Sequence, residues 1–245
     1  MLGEGPPLVF SNSLGVTRDM WRAQSEALAQ EFRVVLYDTR GHGVSDAPAG
    51  AYSLDRLALD VVELLDALEI ERAHFCGLSL GGMTGQVLGV RVRERLISLT
   101  LAATSSYMGP PSGWQTRIET VLADGMMSIS EAVVERWFAD EGLAKEEIVN
   151  AARAWLLETN PVGYAGCCAA IRDMDLRAIV RRIQTPTLIL AGQNDTATPI
   201  DHASFLHDQI EGSALTGMAG AHLLNLEQPD LFTEALRQFM RGAEG

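Results

Sequence analysis

Short apolar runs alternate with stretches of helical apolar spacing along the first hundred residues. Runs typical of buried strands lie at residues 6–10, 33–37, 73–76 and 96–101. Between them, apolar residues recur at helical intervals, most clearly over 54–68. Because strands that alternate with helices build parallel sheets covered on both faces, this pattern predicts a parallel, doubly wound α/β fold.

The pattern changes after residue 105. The spacing is helical in every stretch from 110 to about 174, with helices expected over 113–122, 130–138, 145–157 and 161–171. A strand over 187–191, a helix over 199–210, a weak strand over 214–218 and a terminal helix over 229–241 follow. We therefore expect one core part over 1–105, an inserted helical cap over 106–176 and a second core part over 177–245.

Charge and cysteine content narrow the class of protein. The 245 residues carry 19 Lys and Arg against 32 Asp and Glu, a net charge of −13 that argues against nucleic acid as a partner.

No apolar run is long enough to cross a membrane, and no signal-peptide pattern opens the chain, so we expect a cytoplasmic protein with no membrane partner. None of the three cysteines forms a Cys-x-x-Cys pair, so no metal site is expected. Assembly into a homo-oligomer stays open.

A Gly-x-Ser-x-Gly motif joins a predicted strand to a predicted helix. Ser79 stands at its centre, between Gly77 and Gly81. In this setting the motif is typical of a nucleophile elbow, a tight turn that presents the serine oxygen at the N-terminus of a helix. We therefore predict that Ser79 is a catalytic nucleophile.

A serine nucleophile needs a base and a carboxylate that orients the base. In folds with this elbow, the acid and then the histidine follow the serine along the chain. Of the five histidines, two precede Ser79 and two lie in the helix predicted over 199–210, which leaves His222, in a loop after the last strand. Asp195 follows the strand over 187–191 and the turn at Gly192, where a parallel sheet places functional groups; the alternative is a turn or helix-capping aspartate.

An oxyanion hole in such a site uses two backbone N–H groups. One is expected from Leu80, the residue after the nucleophile, and the other from the loop over 12–15 after the first strand. We favour the N–H of Leu14 in that loop. The alternative is that Leu14 is an ordinary turn residue.

With these residues placed, nearly the whole chain resembles the 3-oxoadipate enol-lactonases, which are α/β-hydrolases with a helical cap. The motifs that carry the resemblance are residues 8–15 (LVFSNSLG), 37–43 (YDTRGHG), 77–83 (GLSLGGM), 135–138 (ERWF), 167–173 (CCAAIRD) and 221–229 (AHLLNLEQP). The pair Asn12 and Ser13 is distinctive, since most related hydrolases have His-Gly there. The family usually begins with a β-hairpin, whereas only five residues precede Pro6 here, so we expect a truncated chain or a shortened and exposed sheet edge.

The resemblance implies a function: opening of 3-oxoadipate enol-lactone to 3-oxoadipate in bacterial aromatic catabolism. Ser79, Asp195 and His222 would form the catalytic triad, with no metal and no organic cofactor. The substrate would be a small anionic lactone with an acetate side chain, for which Arg136 and Trp137 are the candidate binding residues. The alternatives are that Trp137 belongs to the cap core and that Arg136 is a solvated surface charge.

Two other functions remain open. One is a different capped hydrolase, such as a carbon–carbon bond hydrolase of ring-cleavage products or a haloperoxidase-like esterase. The other is a ligand-binding protein on the same fold that lacks catalysis, which an intact set of Ser79, Asp195 and His222 disfavours. A dehalogenase is disfavoured because the elbow carries serine rather than aspartate.

Overall fold

The computed structural model describes residues 1–139 and 143–243. Its sheet contains six strands that pair in parallel, in the order β2-β1-β3-β4-β5-β6. The strands are β1 (Pro7–Ser11), β2 (Arg33–Leu36), β3 (Ala73–Leu78), β4 (Leu96–Ala102), β5 (Thr187–Gly192) and β6 (Ala214–Met218). Every residue of β3 and β5 is buried, as expected for central strands covered on both faces.

Helices alternate with the strands over residues 7–102 and again from residue 187 onwards. They are α1 (Arg22–Leu28), α2 (Leu54–Ala67), α3 (Leu80–Arg91), α4 (Pro111–Asp124), α5 (Ser130–Val134), α6 (Glu146–Glu158), α7 (Pro161–Asp173), α8 (Ile200–Gln209), α9 (Leu224–Glu227) and α10 (Pro229–Ala243). Helices α2 and α3 pack together, and so do α1 and α10. The predicted parallel α/β architecture is therefore confirmed.

Aromatic side chains join one helical layer to the sheet. The rings of Phe10 on β1 and Trp21 stack with their centroids 4.6 Å apart, and Phe232 of α10 lies 5.8 Å from Trp21. All three are essentially inaccessible to solvent. Burial of such side chains contributes about 1.5–3 kcal/mol each, so this cluster fixes β1 and the loop that follows it.

Among the described residues between β4 and β5, the chain forms the four helices α4 to α7, where the helical insertion was predicted. Helix α7 packs closely against α4 and carries Cys167 and Cys168, which are buried and unpaired. The single helix expected over 130–138 is shorter than predicted. Helix α5 ends at Val134, and tighter turns follow because Trp137 N–H bonds to Val134 O while Trp137 O accepts from Leu223 N–H.

The chain start lies along the edge strand β2. Leu2 and Val34 form an antiparallel bridge with two backbone hydrogen bonds of 3.0 and 2.8 Å. Part of the edge that was expected to be exposed is thus paired. Across the described ranges, no helix has both the length and the apolar character that a membrane span requires.

Candidate active site

Ser79 lies in the sharp turn between β3 and α3. Its backbone adopts φ 57° and ψ −112°, a region that costs a residue with a side chain of order 1–3 kcal/mol. The turn is held on both sides: Ser79 N–H donates to Ala102 O at 2.9 Å, and the Thr104 hydroxyl donates to Ser79 O at 2.7 Å. Contacts to β4 and the residues after it therefore maintain the strained turn.

The two glycines of the motif lie where another backbone segment comes too close for a side chain to fit. A Cβ added to Gly77 would lie 2.2 Å from the Gly81 carbonyl, and one added to Gly81 would lie 2.2 Å from Ser11 O. Neither glycine has a positive φ. Steric crowding, rather than backbone conformation, thus excludes side chains at Gly77 and Gly81.

His222 and Asp195 are hydrogen-bonded. The His222 Nδ1 and Asp195 Oδ2 atoms are 2.9 Å apart, and both residues are buried. The loop after β5 holds the carboxylate: Ala197 and Thr198 N–H groups donate to Asp195 Oδ1 at 2.8 and 2.9 Å, and the Thr198 hydroxyl donates to Oδ2 at 2.7 Å. The Asp195 contact occupies Nδ1, so Nε2 is the imidazole atom left for a reacting group.

The environment of Asp195 favours its charged form. Burial raises the pKa of Asp195, but the attraction to His222 and the hydrogen bonds from His222 and Thr198 together hold it below its ordinary value. A carboxylate that stays ionised can orient the imidazole and stabilise it when it gains a proton.

Glu227 fixes the loop that carries His222. Its Oε2 accepts from Ala221 N–H at 2.5 Å, and its Oε1 accepts from Ala139 N–H at 2.7 Å. The adjacent Leu223 N–H donates to Trp137 O at 2.9 Å. The position of His222 therefore depends on contacts with the turns that follow α5.

The loop after β1 lies beside the elbow. The Asn12 side chain accepts from the Thr39 N–H and hydroxyl at 3.1 and 2.8 Å, and its amide donates to Val16 O. Among the described residues, none accepts a hydrogen bond from Leu14 N–H. Leu80 begins α3, where backbone N–H groups lack intrahelical acceptors. Both predicted oxyanion donors thus carry N–H groups that suit the role.

A buried histidine supports the same loop. Gly15 N–H donates to His42 Nε2 at 2.8 Å, and His42 Nδ1 lies 3.3 Å from Arg40 O. Burial lowers the pKa of His42 to about 4, so the ring is neutral at neutral pH. A neutral ring whose Nδ1–H donates to Arg40 O leaves Nε2 as the acceptor for Gly15.

One cavity brings most of the predicted site residues together. Ser79, His222 and Leu14 line it, and so do Arg136 and Trp137 from the helical segment. Asp195 lies behind His222, and Trp137 is almost completely buried. The remaining lining residues are Ser13, Met83, Met108, Trp114, Arg117, Val133, Tyr164, Ile171, Ala197 and Thr198. The sequence thus predicted residues that the fold places around a single cavity.

Several residues that support or line the site could not be recognised from the sequence. His42 and Glu227 lie within quoted motifs, but the sequence offers no sign that they bond to Gly15 and Ala221. Arg117 is a half-buried residue of α4, a helix with a weak apolar pattern, and only the fold places it in the cavity. Within the described ranges, no group of three or more His, Cys, Asp or Glu side chains has a metal-binding arrangement.

Comparisons with known proteins agree on one family. The model of the α/β hydrolase fold family matches residues 6–227. The chain is 38% identical over 237 residues to 3-oxoadipate enol-lactonase 2 of Acinetobacter baylyi, covering 96% of this chain and 89% of that protein.

Two solved structures are similar over almost their full lengths. An enol-lactonase from Burkholderia xenovorans LB400 superposes with a TM-score of 0.95 at 38% identity, covering 98% of this chain and 92% of that one. A hydrolase from Pseudomonas aeruginosa PA01 superposes with a TM-score of 0.94 at 45% identity, covering 97% and 91%.

Proposed function

The chain belongs to the α/β hydrolase family and, within it, to the 3-oxoadipate enol-lactonases, and from this premise we propose that it hydrolyses 3-oxoadipate enol-lactone to 3-oxoadipate at Ser79. The observation that carries the proposal is the arrangement at the cavity. Ser79 and His222 face one space, and Asp195 bonds to the far nitrogen of the imidazole. Together they form the constellation of a serine esterase.

The first half of the reaction acylates the serine. His222 Nε2 takes the proton of Ser79 Oγ as that oxygen attacks the carbonyl carbon of the lactone. Leu14 and Leu80 N–H groups donate to the oxygen that becomes negative. The ring C–O bond then breaks, and the ring oxygen leaves as an enolate, which takes up the proton held by His222 and becomes the ketone, so that the imidazole is neutral again.

The second half regenerates the enzyme. His222 removes a proton from a water molecule, which attacks the acyl carbon. The bond to Ser79 Oγ breaks, the serine regains its proton, and the acid is released as 3-oxoadipate. Asp195 stays ionised throughout and stabilises the imidazolium that forms twice in the cycle.

Two residues of the helical segment complete the proposed substrate site. Trp137 presents a buried aromatic side chain to the cavity, and Arg136 provides a positive charge beside it. We assign them to the apolar ring and the acetate group of the lactone respectively. We also propose that residues 106–176 act as a cap over a core formed by 1–105 and 177–245.

The test of this function is loss of the ultraviolet absorbance of 3-oxoadipate enol-lactone, measured beside hydrolysis of phenyl acetate. A kcat/KM for the lactone at least about 100-fold above that for phenyl acetate supports a lactonase. Hydrolysis of phenyl acetate without turnover of the lactone would assign the same site to a general esterase. Failure with both substrates, by protein that is folded, would favour a ligand-binding role.

A further inference from the structure

Two arginines face the cavity without an acidic partner. Arg117 of α4 and Arg136, just after α5, both line the space around Ser79. Among the described residues, no carboxylate oxygen lies within the 4.0 Å of an ion pair from either guanidinium. Arg117 stacks on the Trp114 ring at 4.9 Å and also interacts with the Tyr164 hydroxyl, and Arg136 Nε donates to Ala132 O at 3.1 Å. Because a guanidinium has five N–H donors, each arginine keeps donors for another group.

Arginines elsewhere on the helical segment are neutralised. Arg153 pairs with Glu131, and Arg172 pairs with Asp173 at 2.7 Å. In a chain with a net charge of −13, acidic partners are plentiful, so the unpaired state of Arg117 and Arg136 is unusual. The cavity around Ser79 therefore carries positive charge that no acidic side chain neutralises through an ion pair.

Two arginine charges without an anionic partner are unfavourable in this cavity. Burial lowers the pKa of Arg136 and the charge of Arg117 lowers it further, and together they outweigh the smaller attraction to acidic groups such as Asp195. Two like charges that face one partly desolvated space repel each other, and an anion between them removes that repulsion. Guanidinium groups bind carboxylates with short, charge-assisted hydrogen bonds, often two at a time.

We infer that Arg117 and Arg136 together form a carboxylate-binding site, and that the enzyme selects esters and lactones that carry a free carboxylate. Arg117 is the new element, a specificity residue on α4, whereas the predicted pair Arg136 and Trp137 lies in the turns after α5. The inference rests on the proposed hydrolysis at Ser79, but it does not require that the substrate be the enol-lactone.

The test uses two esters that differ by one charge: the mono-p-nitrophenyl ester of glutaric acid and its methyl ester. The wild type is expected to prefer the acid by at least about tenfold in kcat/KM. Arg117→Gln should reduce that preference about 10- to 100-fold, mainly through KM for the acid. Arg117→Lys should retain more of it, because the charge remains while the forked geometry is lost.

Arg153→Gln is the matched control, since it removes one positive charge from the helical segment outside the cavity. It should leave the preference within about twofold of the wild type, because exposed charges act weakly at a distance. The double variant of Arg117 and Arg136 should lose less than the product of the single effects, since both act on one carboxylate.

The outcomes separate the two proposals. If the acid ester is preferred and Arg117→Gln abolishes the preference, the carboxylate site stands even when the enol-lactone is not turned over. If Arg117→Gln slows both esters equally, or the wild type shows no preference, the inference is wrong. If neither ester reacts, thermal unfolding with glutarate decides: stabilisation of the wild type but not of Arg117→Gln supports the site, and equal shifts refute it.

Discussion

The backbone N–H of Gly15 donates to Nε2 of the buried His42 across 2.8 Å. This bond ties the loop after β1 to the loop after β2, at the carboxyl end of the sheet where Ser79 lies. Leu14, the proposed oxyanion donor, immediately precedes Gly15. His42 is therefore a positioning residue: it holds the donor without contacting the substrate.

Replacing His42 with alanine should slow the reaction. The loop would lose its acceptor, and the Leu14 N–H would no longer be held in place. Loss of one oxyanion donor typically costs about 10²–10³ in rate, so a displaced donor should lower kcat about 10- to 100-fold with little change in KM. Steady-state kinetics on the lactone measures the effect.

The amide of His42→Gln offers an acceptor and should recover part of the loss in kcat. The exposed His207 on α8 supplies the control, since His207→Gln should leave kcat unchanged. A merely structural role for His42 would lower stability and kcat together in both of its variants. Equal kcat for all three variants and the wild type would refute the positioning role.

The same residue makes stability depend on pH. The pKa of His42 is about 4 in the folded protein, and an exposed histidine has a pKa near 6.5, so the unfolded chain binds the proton more readily. The stabilisation is complete above about pH 6.5 and is lost as the pH falls towards 4. The shift corresponds to about 3 kcal/mol of unfolding free energy.

Urea unfolding at pH 7.5 and pH 4 measures this dependence. The wild type should lose about 3 kcal/mol more between the two pH values than His42→Gln, which carries no titrating group there. Identical losses in both proteins would mean that His42 is not buried in its neutral form.

Glu227→Gln tests the support of the His222 loop. Glutamine has one carbonyl oxygen, so it cannot accept from both Ala221 and Ala139 N–H groups. One buried donor is left without a partner, which costs about 1–3 kcal/mol in stability. We expect a lower melting temperature and a several-fold lower kcat; unchanged values for both would contradict this assignment.

Asp195→Asn tests whether the negative charge of Asp195, rather than its shape, is needed for catalysis by His222. The amide has nearly the same shape as the carboxylate, but it carries no charge to stabilise the imidazolium and favours the wrong tautomer of His222. In a serine protease this change costs about 10⁴ in kcat, and we expect a loss of similar order. Circular dichroism and thermal unfolding check that the variant folds; a loss below about tenfold would exclude Asp195 from the mechanism.

Local signals predicted much of this molecule. Continuous apolar runs predicted the ends of the strands to within one or two residues, because parallel strands that are buried on both faces need such runs. The elbow motif located Ser79 because a short, recognisable pattern of glycines flanks it; Gly77 is crowded by the nearby Gly81, whereas the crowding of Gly81 by Ser11 is a long-range contact. Asp195 and His222 were predicted from their places after strands, and the fold puts them 2.9 Å apart.

Contacts between residues far apart in the chain could not be predicted from the sequence. Glu227 bonds to Ala139, 88 residues away in the chain, and no local pattern marks that pairing. Arg117 resembles any arginine on an amphipathic helix until α4 is placed over the cavity. His42 precedes Ser79 in the chain and was therefore excluded as the catalytic base. Nothing in the sequence showed that it accepts a hydrogen bond from Gly15 N–H instead.

The role of Ser79 as the nucleophile is decided by turnover of 3-oxoadipate enol-lactone, compared between the wild type and Ser79→Ala. We expect rapid ultraviolet loss with the wild type and a rate at least about 10⁴-fold lower with the variant. Equal rates for the two folded proteins would refute this role, because the reaction would then proceed without Ser79 as the nucleophile.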